Sequence, residues 1–211
     1  MQFILVSMTT AIDPDRKQKM VVEFRRGEIL AAATRVFGEK GFEATKMEEI
    51  AAAAGVAKGT LYLYFESKDE VYVTTVERAL AEVAALTAEH VERESTVAGK
   101  LAAFVRVRIA FWDEQQTLYR VILNSSRDGE HRARSIGWQR VVVVYLASIF
   151  EEGARAGEIP EQDYAAAAWA VMDAIRGVNE RRVFSEGRGA EEDTRFLTEF
   201  LWAGLRAGTG I

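Results

Sequence analysis

Only two prolines, Pro14 and Pro160, stand in a chain of 211 residues. A proline inside a helix removes a backbone donor and clashes with the preceding turn, so the long stretch between these two is free to be helical throughout. Alanine, glutamate, arginine and leucine dominate it, side chains that lose little freedom in a helix. Apolar residues make up 49% of the chain, enough for a real core and too many for a disordered tail. The expected class is therefore all-α. The length fits one large domain or two small ones.

Other classes are narrowed by what the chain carries. There is no cysteine, hence no disulfide and no thiolate metal site, which fits a cytoplasmic protein. His90 and His131 lie far apart and lack the i, i+4 partner of a helical metal site; both read as solvated helix-surface residues. The longest apolar runs, 141–150 and 164–172, fall short of the ~20 residues of a membrane helix. No catalytic arrangement stands out among the acidic side chains and two histidines, so an enzyme is not expected, nor a cofactor or metal. The formal net charge is −5, so a nucleic-acid role has to rest on one local region.

Residues 1–20 read as a flexible tail, with an apolar leader from Met1 to Met8 and a basic cluster of Arg16, Lys17 and Lys19. Ile29, Leu30, Ala33, Val36 and Phe37 then form one apolar helical stripe, ended by Gly41. Thr45-Lys46-Met47-Glu48 has the form of a capping box for a short helix over 46–53. Gly55 makes a turn, Val56 plugs beneath it, and a second short helix runs over 58–65. Ser67 caps the next helix, with Asp69 and Glu70 in its first turn. Helices follow over 68–92, 97–113 (capped by Thr96), 116–124, 131–155, 162–184 and 190–207. Val141 to Tyr145 has strand composition, but its flanks and the lack of a partner strand make it helical. Gly187 and Gly189 read as a linker.

Residues 45–68 carry the chemistry. Two short helices joined at Gly55 form a helix-turn-helix, whose second helix presents its N-terminal residues to base edges. That helix begins Lys58-Gly59-Thr60: a cation for phosphate or guanine, a position where backbone can approach closely, and a hydroxyl with a methyl for thymine. Tyr62 and Tyr64 add hydroxyls on stiff rings, while Leu61 and Phe65 face inward. Lys68 and nearby N-terminal amides form an anion site. The plainer alternative, a helical hairpin in a core, leaves these as surface decoration.

The joint pattern from Arg25 to Val71 resembles the N-terminal domain of the TetR family of regulators. Ile29-Leu30, Ala32-Ala33, Phe37, Gly41-Phe42, Thr45, Glu49-Ile50-Ala51, Ala54-Gly55-Val56, Lys58-Gly59-Thr60-Leu61-Tyr62, Tyr64-Phe65 and Ser67-Lys68 carry it. The resemblance implies an N-terminal three-helix DNA-binding domain (21–68) and a larger helical ligand-binding and dimerisation domain (69–211). It implies a homodimer through the last two long helices and a pocket among the middle ones. By residue it implies phosphate contacts from Thr45, Tyr62 and Lys68, and base or phosphate contacts from Lys58, Gly59, Thr60 and Tyr64. Two positions depart from the family. Ala57 stands where a capping serine or threonine is common, and Lys46 where a small polar residue is usual; Lys46 is a compensating phosphate contact.

The second half interleaves aromatics with aliphatics. Phe104, Arg108, Phe111, Trp112, Trp138, Tyr145, Trp169, Met172 and Arg176 are the candidate pocket residues, against the plainer reading of core packing. Arg108 and Arg176 suit an anionic ligand group or an internal salt bridge with Asp113 or Asp173, and Asn179 is a further polar candidate. Phe196, Leu197, Phe200, Leu201 and Leu205 give the last helix a broad apolar face, for dimerisation or for docking on the subunit's own core. The expected function is a repressor that binds a palindromic operator in double-stranded DNA as a homodimer and is released by a small, largely apolar effector. The alternative is an architectural or division-related DNA-binding protein on the same fold without a small ligand.

Overall fold

A computed structural model describes residues 14–125, 129–184 and 188–208; the leader and Gly187 lie outside them. Among the described residues there are nine helices and no strand. α1 spans Pro14–Lys40, α2 Met47–Ala53, α3 Lys58–Tyr62, α4 Lys68–Glu92 and α5 Val97–Glu114. α6 spans Gln116–Ser125, α7 Gly129–Arg155, α8 Tyr164–Val183 and α9 Ala190–Ala207.

The start of α1 differs from the sequence expectation. Residues 14–20, read as tail, are its opening turns. Nothing breaks a helix between Pro14 and Lys40, so the hydrogen-bonded ladder runs on past its packed part. Residues 16–25 are all exposed, and the first buried side chain is Ile29. At 1.5 Å per residue the unpacked segment reaches about 20 Å from the core. α1 ends where Gly41 takes φ +81°, its amide donating to Phe37 O at 2.8 Å.

Local caps set most other boundaries. The Ser67 hydroxyl accepts from the Glu70 amide at 3.1 Å, and Thr96 accepts from Gly99 at 3.1 Å. Asp163 does the same for Ala166 at 2.9 Å. The α2 cap is one residue later than the sequence suggested. The Lys46 amide donates to Glu49 Oε2 at 3.0 Å, while the Thr45 hydroxyl turns back to donate to Gly41 O at 2.7 Å. Lys46 takes the extended cap conformation, and Thr45 is drawn into the core, 2% exposed.

Two apolar clusters form the interior. One joins α1–α3 to the first half of α4, α6 and the end of α5 through residues such as Phe37, Ile50, Leu61, Phe65 and Tyr72. The other lies among α5, α7, α8 and α9, around Phe104, Leu146, Phe150 and Val171. The valine run is helical, as its flanks required. Val143 is buried there, while Val141 and Val144 point outward. α5 and α7 approach closely at Gly153, where any Cβ would meet Val97 Cγ2 at 2.0 Å.

Candidate nucleic-acid interface and ligand cavity

Buried side chains hold α3 from beneath. Leu61 and Phe65 are fully buried under it, against Ile50 of α2. Gly55, at φ +67°, makes the turn between α2 and α3, and the Val56 amide closes it by donating to Ala51 O at 3.0 Å. Ala57 occupies the N-cap without a side-chain hydrogen bond, so the five-residue helix owes its position to neighbours. Arg26 of α1 is one of these, and sequence reasoning missed it. Its Nη1 donates to Tyr64 O at 2.7 Å, and its guanidinium lies 4.3 Å from the Phe65 ring centre.

The outer face carries Lys58, Gly59 and Tyr62, all exposed, with Thr60 and Tyr64 half-buried beside them. Lys46 is exposed at the head of α2. Leu63 lies on the same side and is 82% exposed. This residue was also missed, though its signal was available. Leu61 and Phe65 face inward, so the residue midway between them points out.

Three of the expected DNA contacts are engaged within the protein. Lys58 pairs with Glu48 across the α2–α3 turn, both about half exposed. Its hydrogen bond to Glu48 raises the Lys58 pKa, and the same bond lowers that of Glu48. Such an exposed pair is weak and easily exchanged. Lys68 donates to Phe42 O at 2.7 Å and Glu43 O at 3.1 Å, and sits 4.4 Å from the Phe42 ring centre. It ties the α1–α2 turn to the head of α4. Thr45 is buried, with its hydroxyl spent on Gly41.

α4 leads from this face to a cavity of about 550 Å³ among α4, α5, α6, α7 and α8. Of the expected pocket residues, Arg108, Trp112, Trp138, Trp169, Met172 and Arg176 line it, as does Asn179. Phe104, Phe111 and Tyr145 do not, which corrects the sequence reading. Phe104 is wholly buried in the second core cluster, where the Arg108 guanidinium covers its ring at 4.7 Å. Phe111 belongs to the first cluster and packs edge-on against Trp112, and Tyr145 packs against the second.

The arginines have different partners. Arg176 pairs with Asp173 at 3.0 Å. Asp113 is taken by Arg182, which also reaches Asp193 at 3.5 Å. Arg108 is 5% exposed, and its buried Nε has no hydrogen-bond partner. No carboxylate pairs with it among the described residues, and burial pushes its pKa down to about 10.

The histidine expectation also needs correction. His131 is buried at 5% exposure, its Nε2 donates to Asp69 Oδ1 at 2.7 Å, and its ring packs on Phe42 and Tyr72. A partner 62 residues earlier draws it in. His90 is part-buried, with Nδ1 2.8 Å from Leu86 O.

Comparison with known proteins agrees with this architecture. Residues 29–74 match the family described as bacterial regulatory proteins, tetR family. Residues 94–180 match the tetracyclin repressor-like C-terminal domain. The chain belongs to the TetR family. This makes it a DNA-binding transcriptional regulator with a helix-turn-helix. The HTH-type transcriptional activator FasR of Mycolicibacterium smegmatis is 31% identical over 110 residues, 52% of this chain and 50% of FasR. The fatty acid metabolism regulator protein of Bacillus subtilis is 27% identical over 136 residues, 64% of this chain and 70% of that protein. Thus the matched segment spans about half the length of FasR. Among solved structures, the FadR fatty acid degradation regulator of Bacillus halodurans superposes with a TM-score of 0.79 at 22% identity, covering 86% of this chain and 96% of that one. FadR of Bacillus subtilis in complex with stearoyl-CoA gives 0.77 at 24% identity, covering 84% and 97%. Both likenesses are of fold. Among the described residues, no helix is long and apolar enough to cross a membrane.

Proposed function

We propose that this TetR-family chain is a cytoplasmic, non-enzymatic repressor that binds a palindromic operator as a homodimer and releases it when a small, largely apolar effector fills the cavity. One observation carries the reading: α4 is continuous from Ser67, just after the α3 segment, to Val76 and Leu80 in the cavity wall. A ligand that prefers one setting of α4 therefore shifts the reading heads, provided its affinity differs between the two settings. The open cavity speaks against an architectural protein with a collapsed second domain. The effector is of the fatty-acyl class, by likeness to regulators named for fatty acid metabolism.

In this reading Lys46, Lys58, Gly59, Thr60, Tyr62 and Tyr64 face the DNA and Lys68 lies beside them at the phosphate backbone, while buried Thr45 braces the α1–α2 turn through Gly41. The dimer forms on α8 and α9. The apolar face of α9 is divided: Leu197 and Leu205 are buried in the subunit, while Phe196 and Phe200 stack on each other at 6.0 Å and remain 52% and 66% exposed. Phe184, just past the end of α8, is exposed as well. A second copy covers the open part of the α9 face, since a two-fold interface is self-complementary.

Fluorescence anisotropy on duplex DNA from upstream of the chain's own coding sequence tests the proposal. Wild type binds with a two-fold footprint and is released by long-chain acyl compounds. Tyr64→Ala loses affinity, and Phe200→Glu sediments as a monomer. Wild-type affinity in Tyr64→Ala would sink the recognition-helix assignment, and tighter DNA binding with ligand would turn the repressor into a ligand-dependent binder.

A further inference from the structure

We propose that the cavity takes its effector as a free carboxylate, a carboxylic acid with an apolar body whose anionic end is held by Arg108. This rests on the reading of the cavity as the effector site and names the chemistry it selects.

An arginine with a buried, unpartnered Nε is costly for a fold to keep. Burying a charge without a partner is among the most expensive things a protein does. Arg108 is wedged between the Phe104 ring and the cavity. The carboxylate nearest to it in sequence, Asp113, is committed to Arg182. The planar guanidinium cannot shed its charge at neutral pH and presents a fork that matches a carboxylate. A second orphaned polar atom lies in the same wall: Asn179 is 3% exposed and its Oδ1 has no partner. That oxygen accepts and cannot pair with a carboxylate; only the Nδ2 of the same amide can donate to one.

The charge around the cavity sets the valence of the anion. Three arginines line it, Arg108, Arg132 and Arg176, against two acids, Asp173 and Glu180. The sum is +1 (three minus two), which one carboxylate neutralises. A polyphosphate tail would bring several negative charges beside Asp173 and Glu180. The rest of the wall, with Trp112, Trp138, Trp169 and Met172, suits an aliphatic or aromatic body.

Those three tryptophans give a direct readout. Purified full-length protein is titrated with laurate, 1-dodecanol and lauroyl-CoA, each below its aggregation threshold, while intrinsic fluorescence is followed. Laurate is expected to bind at least about tenfold tighter than dodecanol, the scale of one hydrogen bond to a charged group. Arg108→Gln removes that preference, and Arg108→Lys keeps part of it. Thermal melting of ligand-free Arg108→Met separates function from packing. An anion-binding arginine is a burden to the empty protein, so its Tm rises.

Equal binding of laurate and dodecanol by wild type, with tight binding of lauroyl-CoA, overturns the carboxylate assignment and leaves the cavity an acyl site. A fall in Tm with unchanged selectivity in Arg108→Met makes Arg108 a structural residue and overturns it too. If none of the three compounds changes the fluorescence, the cavity reading itself fails and takes this inference with it.

Discussion

Asp69 accepts a hydrogen bond from His131 Nε2 at 2.7 Å, joining the head of α4 to the first turn of α7. Arg134, one turn further, donates to the other oxygen at 2.9 Å. Arg132, Ser135 and Ile136 of those same two turns line the cavity. One short stretch of α7 thus touches both the head of α4 and the cavity.

Replacing Asp69 by Asn keeps the shape and removes the charge that holds His131 and Arg134. Ligand-free DNA affinity should stay near wild type, because α3 is held by Arg26, Leu61 and Phe65. The response to ligand should shrink by about fivefold or more, the lower end of common coupling energies. Paired DNA titrations with and without ligand measure it. Unchanged coupling in Asp69→Asn would show that the signal travels through α4 alone.

The same carboxylate gives an acid signature. Burial pushes the Asp69 pKa up, but the hydrogen bonds from His131 and Arg134 outweigh that and leave it below the ordinary value. A group with a lowered folded pKa stabilises fully above its unfolded value of about 3.9, and that contribution is lost as pH falls through the folded value. Urea midpoints of wild type and Asp69→Asn should differ by the same amount at pH 7 and pH 5. The difference should shrink only below about pH 3.9, as the pH falls toward and through the lowered folded value.

On the proposed reading, Lys58 reaches DNA only by leaving Glu48. Glu48→Gln frees it and removes a negative charge from the face, so DNA affinity should rise several-fold at low salt and less at high salt. Lys58→Ala should weaken binding and lower the slope of log affinity against log salt by about one. Anisotropy across a salt series reports both. An unchanged slope in Lys58→Ala would remove it from the phosphate contacts.

Gly59 has nothing within 4 Å of where a Cβ would stand, and its backbone is ordinary helix. The protein itself gives no reason for glycine there. Gly59→Ala should therefore raise stability, by up to about 1 kcal/mol, while DNA binding falls because the methyl meets the groove. Gain in urea midpoint with loss of DNA affinity is the expected pair of results. Full DNA affinity would place the closest backbone approach elsewhere.

Gly153 is the opposite case. Its neighbour is the Val97 side chain, too close for any Cβ. Gly153→Ala should cost about 1–3 kcal/mol of stability by overpacking. Val97→Ala in the same molecule should recover part of it, and a double-mutant cycle by urea unfolding measures the coupling.

The helices were legible because their boundaries are local. Gly41, Ser67 and Thr96 act on amides or carbonyls within four residues, and a sequence window contains all of that. The exposed Leu63 was legible as well, had the inward pair around it been used. Phe104, Phe111 and Tyr145 were not, because the packing of several helices decides which side of α5 or α7 faces the cavity. His131 was missed for the same reason: its partner and ring contacts lie far away in sequence, in the α1–α2 turn and the first turns of α4. Arg108 was legible as a charge on an apolar helix, but its solitude required knowing that Asp113 turns to Arg182.

The uncapped start of α3 has a wider consequence. With Ala57 giving no hydrogen bond, the reading helix draws almost nothing from its own outer residues; Arg26, Leu61 and Phe65 hold it from behind. Substitutions at Lys58, Thr60 or Leu63 are then nearly free of cost to folding. On the proposed reading, operator preference can drift by single steps through selection while the body of the protein stays as it is.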